Sequence, residues 1–363
     1  MVGAGAMNTN SSPIFRKCEF SKNSAYRGGG GMANDGNSAP LIENCIFTGN
    51  HSGLGSYGLA PGGGGILNGA TSKPIIRNTE IYGNFSGDYG GGICNKENSE
   101  PIIENCRIYG NTATTTGGGI SNIGNSEPIF ENCKIYGNRA TTNGGGIHSV
   151  GASKPLIQYC EIYENISTAD GGGVYTAEIA ETTIINCKIF DNESISGQGG
   201  GIHLYGTSVT VSSVTAVNTL ITGNKVRPVF AGVYQNAGIH AQSKISLINV
   251  TIANNINGRD LYLADSSSSS IIKNTIAWGS TAVASQYTAS QINGGAGITS
   301  DSQITAGTTS ISTIGLNASY RPTALPCLNG GDYAAYNGNG FPAVDLASLS
   351  RFSGTQISIG AYQ

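Results

Sequence analysis

Gly-Gly-Gly-Ile, a short polar turn, and then Pro-Ile-Ile-Glu-Asn-Cys-x-Ile-Tyr-Gly-Asn recur along this chain, and the block returns every 27 residues for five consecutive copies. Cys106, Cys133, Cys160 and Cys187 keep that interval, as do Asn84, Asn111, Asn138, Asn165 and Asn192. A repeat of this size marks a solenoid, because one copy cannot bury its own apolar face and must stack on the next. The repeat therefore overrides the two or three globular domains that 363 residues would otherwise suggest. We expect one elongated domain of coils over residues 1–290 and an irregular coil with a capping segment over 291–363, packed on the solenoid.

Within a copy such as Pro101 to Asn111, Ile103, Cys106 and Ile108 stay apolar from copy to copy while Glu104 and Arg107 exchange with other polar residues. Alternation over four to six residues is strand periodicity, with the apolar set inward. A bend near Asn105 accounts for the slip from a spacing of two to one of three. Gly117 to Asn122 predicts a further strand with Ile120 inward and Ser121 outward, so each coil carries two or three short strands. Stacked copies then form parallel sheets running the length of the molecule.

Composition fits that reading only because it is periodic. The 55 glycines would indicate low complexity if scattered, but triplets ending at Gly31, Gly65, Gly92, Gly119, Gly146, Gly173 and Gly201 mark a corner of close backbone approach. Asparagine recurs at two other corners, Asn34, Asn68, Asn95 and Asn122 in one column and Asn23 through Asn224 in the other. There it is expected to take left-handed backbone geometry and to bond to the Asn one coil above. Six of eight cysteines share one column with Thr79 and Thr219. Coil spacing of ~4.8 Å exceeds the ~3.8 Å between β-carbons that a disulfide prefers, so a buried ladder of free thiols is predicted.

The charge balance of −3, with 11% charged residues, gives no electrostatic footprint for nucleic acid. No stretch approaches the roughly 20 apolar residues of a membrane-spanning helix, so direct membrane insertion is not expected. Gly3 to Asn8 already reads as a degraded Gly-Gly-Gly-Ile-x-Asn, from which an upstream export signal and N-terminal cap are expected.

Phe20-Ser21-Lys22-Asn23 and Phe47-Thr48-Gly49-Asn50 resemble the Phe-x-x-Asn half of the polymorphic outer membrane protein repeat, and Gly-Gly-Gly-Ile its Gly-Gly-Ala-Ile half. Most other copies read Ile-x-x-Asn. This resemblance, over residues 3 to 280, implies an all-β, right-handed parallel β-helix of the pectin-lyase-like kind, here with about ten or eleven coils and near 50 Å long at ~4.8 Å per coil. The segments Pro326-Cys327-Leu328-Asn329-Gly330-Gly331-Asp332, Asp345-Leu346 to Arg351, and Ile357-Ser358-Ile359-Gly360-Ala361-Tyr362 resemble the choice-of-anchor-like ending of β-helical surface proteins from Bacteroidetes. Ser358 and Gln363 depart from the Asp and Glu usual there. The resemblance implies an extracellular or cell-surface, outer membrane-associated location. Fold alone does not choose a function, since lyases, hydrolases, tailspikes and adhesins share it.

Catalysis on this fold calls for carboxylates close together, with calcium or as an acid–base pair. Asp35, Asp88, Asp170, Asp191, Asp260 and Asp265 fall in different copies, mostly at turns. No catalytic residue, metal ligand or cofactor is therefore assigned. The first candidate binding column is Tyr82, Tyr109, Tyr136, Tyr163 and Phe190, which alternation turns outward as an amphipathic track for a polysaccharide or a host surface protein. The alternative is that these rings only stack on one another or lie beneath an insertion. A secondary column holds His148, Tyr175, His203 and His240, read as exposed strand residues. The sequence thus favours a non-enzymatic, adhesin-like β-helix, with a polysaccharide lyase or glycoside hydrolase as the alternative.

Overall fold

A computed structural model describes residues 4–53, 62–207, 209–227, 235–263, 270–273, 276–278, 352–353 and 356–357. The predicted C-terminal segment, its motif residues and Cys327 lie almost wholly outside the described residues. The chain winds as a right-handed parallel β-solenoid whose three long sheets each hold ten strands among the described residues. Sheet A begins with Ala6–Thr9 and ends with Arg259–Leu263. Sheet B runs from Ile14–Arg16 to Ile271–Lys273, and sheet C from Glu19–Ser21 to Ile276–Trp278. Every neighbouring pair in these sheets is parallel, and the pairs keep register, as in Ile75↔Ile102↔Ile129 and Tyr82↔Tyr109↔Tyr136, except for a shift between Asn236 and Ile239 where the last strand of sheet A joins. Those strands make about nine turns, slightly fewer than the ten or eleven coils expected. A fourth sheet, D, of eight two-residue strands from Ser24–Ala25 to Lys225–Val226, was not foreseen. Two residues show no alternation, so only the rung-to-rung bonds, such as His51 N donating to Asn23 O at 2.8 Å, reveal these strands.

Inward columns from the three long sheets meet in one continuous core. Ile120 from sheet A, Ile103 from sheet B and Ile108 from sheet C are all fully buried. The turn between sheets B and C carries the thiol ladder. Cys106, Cys133, Cys160 and Cys187 are buried and unbridged, whereas Cys18 at the first rung is half-buried. Their sulfurs are not idle apolar filler: Cys106 Sγ donates to Glu104 O at 3.2 Å, and Cys133 N donates to Cys160 Sγ at 3.3 Å. Burial pushes the Cys45 and Cys106 thiols up from their usual range.

The predicted asparagine ladders are present and longer than expected. In the first, Asn8, Asn34, Asn68, Asn95 and Asn122 each donate an amide N–H to the next, and Asn122 ends on Ser149 Oγ. In the second, Asn111 Nδ2 donates both to Asn138 Oδ1 at 3.0 Å and back to Ile81 O at 2.9 Å, and this double bond repeats in the rungs that follow. The left-handed geometry was assigned to the wrong asparagines. It belongs to Asn44, Asn78, Asn105, Asn132, Asn186, Asn218 and Asn249 at the bend between sheets B and C, each with φ near +50°. The ladder asparagines need only a side-chain amide facing inward, and left-handed residues such as Gly110 and Gly137 precede them. At the glycine corner, a Cβ on Gly119 would lie 2.8 Å from Gly146 O, so no other residue fits.

Outward columns of mixed sign on sheets B and C form pairs across rungs. Glu43 bridges Arg16 and Arg77, and Glu161 bridges Lys134 and Lys188. They are largely exposed and contribute little each.

Two measurements check this description. Replacing Asn138 by Ala removes two donated bonds and leaves the Asn111 amide and backbone N–H without their acceptor. A loss of about 4 kcal/mol is expected in denaturant unfolding. In native conditions a thiol reagent should label Cys18 first and leave Cys106, Cys133, Cys160 and Cys187 unmodified until the solenoid opens.

Candidate functional site

The first candidate column lies where alternation placed it, on the outer face of sheet C and half-buried. Tyr82, Tyr109, Tyr136, Tyr163 and Phe190 stack at centroid spacings of 4.8–4.9 Å with interplanar angles of 2–8°. That geometry follows from the register, since identical side chains one rung apart share a rotamer. It also changes what the column can offer. Each interior ring has both π-faces covered by its neighbours, so a ligand beside the stripe meets ring edges and hydroxyls instead of a flat platform. The Tyr109 hydroxyl donates to Glu80 Oε2 at 3.2 Å, and burial, with Glu80 nearby, pushes that phenol up to about 12.

The secondary column departs from expectation. His148, Tyr175, His203 and His240 are 3–8% exposed, not open strand residues. They do point to the outer face of sheet A, opposite Ile147, Val174, Ile202 and Ile239. The turns that lead from sheet D into the glycine corner fold over that face and cover it. Alternation reports only which side of a strand a residue takes; a covering turn is tertiary information. The rings form a second stack with Tyr262 as a fifth member, at centroid spacings of 4.8–5.3 Å.

Between those covering turns and the end of sheet A lies a groove of about 740 Å³, within the range of small-ligand sites. His148 and Tyr175 form its floor, continued by Cys94 two rungs before His148. Tyr89, Thr116 and Asn143, each just before a left-handed glycine, make one wall. Lys96, Ile123, Val150, Ala177 and Tyr205 make the other, one residue from each of five successive rungs. Two of the breaks in the 27-residue period, His51 to Gly62 and Val226 to Asn236, fall in the same sheet D to sheet A connection as the first wall. Their central residues lie outside the described set.

The floor of the groove is uncharged near neutrality. Burial pulls His148 down to about 3 and pushes Cys94 up to about 12, and it raises Tyr89 and Tyr175 as well. Charge is confined to Lys96 and Glu178 at the rim, and Glu178 Oε2 accepts from Gly151 N at 2.8 Å. Thr116 Oγ1, in the wall, is buried with no hydrogen-bond partner among the described residues. Beyond the groove, Asp170 Oδ1 lies 3.4 Å from His203 Nδ1. Burial works to raise that carboxyl, but His203 and the Gln198 N–H hold it below its usual value. Among the described residues no group of three or more His, Cys, Asp or Glu side chains is placed to hold a metal ion. No helix among them is long and apolar enough to cross a membrane.

The sequence profile of the right handed beta helix region matches residues 2–140 and 64–241 of this chain. The chain belongs to that family. No curated protein matches it. Among solved structures, the crystal structure of pectate lyase Pel9A is similar at 15% identity and a TM-score of 0.44, over 92% of this chain and 88% of that one. At that level nothing of the lyase's chemistry transfers to residues of this β-helix.

The groove was partly legible. Its floor residues were singled out as a column, but the walls come from a turn and a strand end with no shared residue type. The glycine column carries the signal, because whatever precedes each left-handed glycine flanks sheet A.

The burial of His148 and His240 has a pH consequence. Both imidazoles are depressed to about 3 from 6.5, so they contribute stability above about pH 6.5 that is lost as pH falls toward 3. His148→Phe, which keeps a ring against Tyr175, should weaken the fall in unfolding free energy between pH 6.5 and 4.5. An unchanged fall would place the acid sensitivity elsewhere.

Proposed function

We propose that this β-helix is a non-enzymatic, adhesin-like protein of the cell surface or the extracellular space, and that it binds a glycan chain along the groove outside sheet A. The observation that carries the reading is the groove itself: five rungs long, with an uncharged aromatic floor and charge only at the rim. A sugar presents apolar C–H faces beside hydroxyl groups, and ring edges combined with scattered hydrogen-bonding groups suit both. Five rungs at ~4.8 Å give an elongated contact, as an oligosaccharide requires.

The protonation states of the floor favour binding over chemistry. A general acid or base works best with its pKa near the working pH. His148 at about 3 and Cys94 at about 12 stand several units to either side. The surface or secreted location rests on the sequence resemblances at both ends of the chain. The tyrosine stripe on sheet C is a second lateral surface, and its stacked faces make it the weaker of the two.

A glycan array probed with the purified protein tests the reading. Binding is expected, with Kd raised at least tenfold by Val150→Arg, which fills the groove. Tyr109→Ala with Tyr136→Ala should leave it unchanged. An array without hits, or measurable cleavage of acidic polysaccharide chains, would overturn the proposal, and cleavage would point instead to the lyase or hydrolase reading.

A further inference from the structure

The second asparagine ladder does not end on asparagine. Asn23, Asn50, Asn84, Asn111, Asn138, Asn165, Asn192, Asn224 and Asn255 form an unbroken series in which each Nδ2 donates to the next Oδ1. Asn255 then donates to Asp260 Oδ1, from Nδ2 at 2.6 Å and from its backbone N at 3.1 Å. Those are the two bonds that each lower asparagine makes to the side chain above it. Asp260 sits in the last strand of sheet A and is fully buried. Its second oxygen, Oδ2, has no hydrogen-bond partner among the described residues.

The repeat shows what belongs at that second position. In every rung from Asn84 to Asn255 the amide nitrogen also donates back to the carbonyl of an inward residue, from Phe47 O through Ile108 O to Ile221 O. A carboxylate cannot supply that donor, but a carboxylic acid can. With a proton on Oδ2 and a bare Oδ1, it has the shape and the donor–acceptor pattern of the asparagine amide. We propose that Asp260 closes the ladder as a protonated acid standing in for a tenth asparagine, and that the terminal rung opens as this proton is lost.

Burial is the main influence on this carboxyl and raises it from 3.8 to about 7, against the two hydrogen bonds from Asn255. The group therefore stabilises the closed rung fully below about pH 4, and the contribution is lost as pH rises through about 7. Between those values the opening constant should grow about tenfold per pH unit. Other titratable groups lie on the surrounding elements. Arg259 precedes Asp260 and sits 5.3 Å from the Tyr262 ring. His240 stacks on Tyr262 outside the sheet. Thr251–Ala253 and Asn254 bring none, and Asp265 lies outside the described residues. His240, depressed to about 3, acts in the opposite direction below pH 6.5. The quantity to measure is thus the ratio between wild type and Asp260→Asn, in which the His240 contribution cancels.

Amide hydrogen exchange over residues 251–263, corrected for intrinsic rates, reads the opening constant from pH 4.5 to 8.5 in both proteins. The expected result is a ratio that rises about tenfold per pH unit up to about pH 7 and then levels, with Asp260→Asn the more protected above pH 7. A pH-independent ratio would overturn the proposal. A direct reading comes from carboxyl carbon NMR of the wild type, where Asp260 should titrate near 7. Titration near 4 would overturn the proposal without reference to any variant.

Discussion

Parallel β hydrogen bonding fixes a distance of ~4.8 Å between rungs, and the rest of this molecule answers to that spacing. A side chain that repeats every 27 residues meets its own copy at one distance and in one orientation. Rings can stack there, amides can bond head to tail, thiols can share their neighbours' carbonyls, and charges of opposite sign can pair. Each residue type that the repeat retains is one for which a copy of itself is a good neighbour at that distance. Acidic side chains are the test. Glu43 and Glu161 stand between cations, whereas an acid in a ladder of amides must hold a proton.

The same spacing restricts where a ligand can be recognised. On sheet C, stacking satisfies the aromatic column internally, so the tyrosine stripe has little ring face left. Sheet A differs because its outer face is roofed by the turns entering the glycine corner. Residues there are outward by alternation yet buried, and the space left beside the roof is the groove. A concave site therefore arises where the solenoid departs from a simple prism. Irregular residues, such as Lys96 and Tyr89, collect at its edges.

The two titratable devices act in opposite senses. Neutral histidines in the outer stack resist acid poorly, and the acid that ends the inner ladder resists alkali poorly. Both come from burying an ionisable group in a position where the repeat supplies hydrogen bonds suited to a neutral one.

What the sequence determined by itself was the class of structure and the fate of its columns. Period and alternation are enough to specify parallel stacking, the inward isoleucines, the thiol ladder and the two amide ladders, since those depend only on each residue meeting its own copy. The bend at Asn105 was legible for the same reason, though which asparagines turn left-handed there was not. Only the tertiary structure decided which outward column is open and which is roofed, and that the His148 column belongs to a groove. It also decided that Asp260, five residues after Asn255 and outside the repeat, completes the ladder. Those facts join residues of different types from different parts of the coil, and no period records a contact between unlike residues.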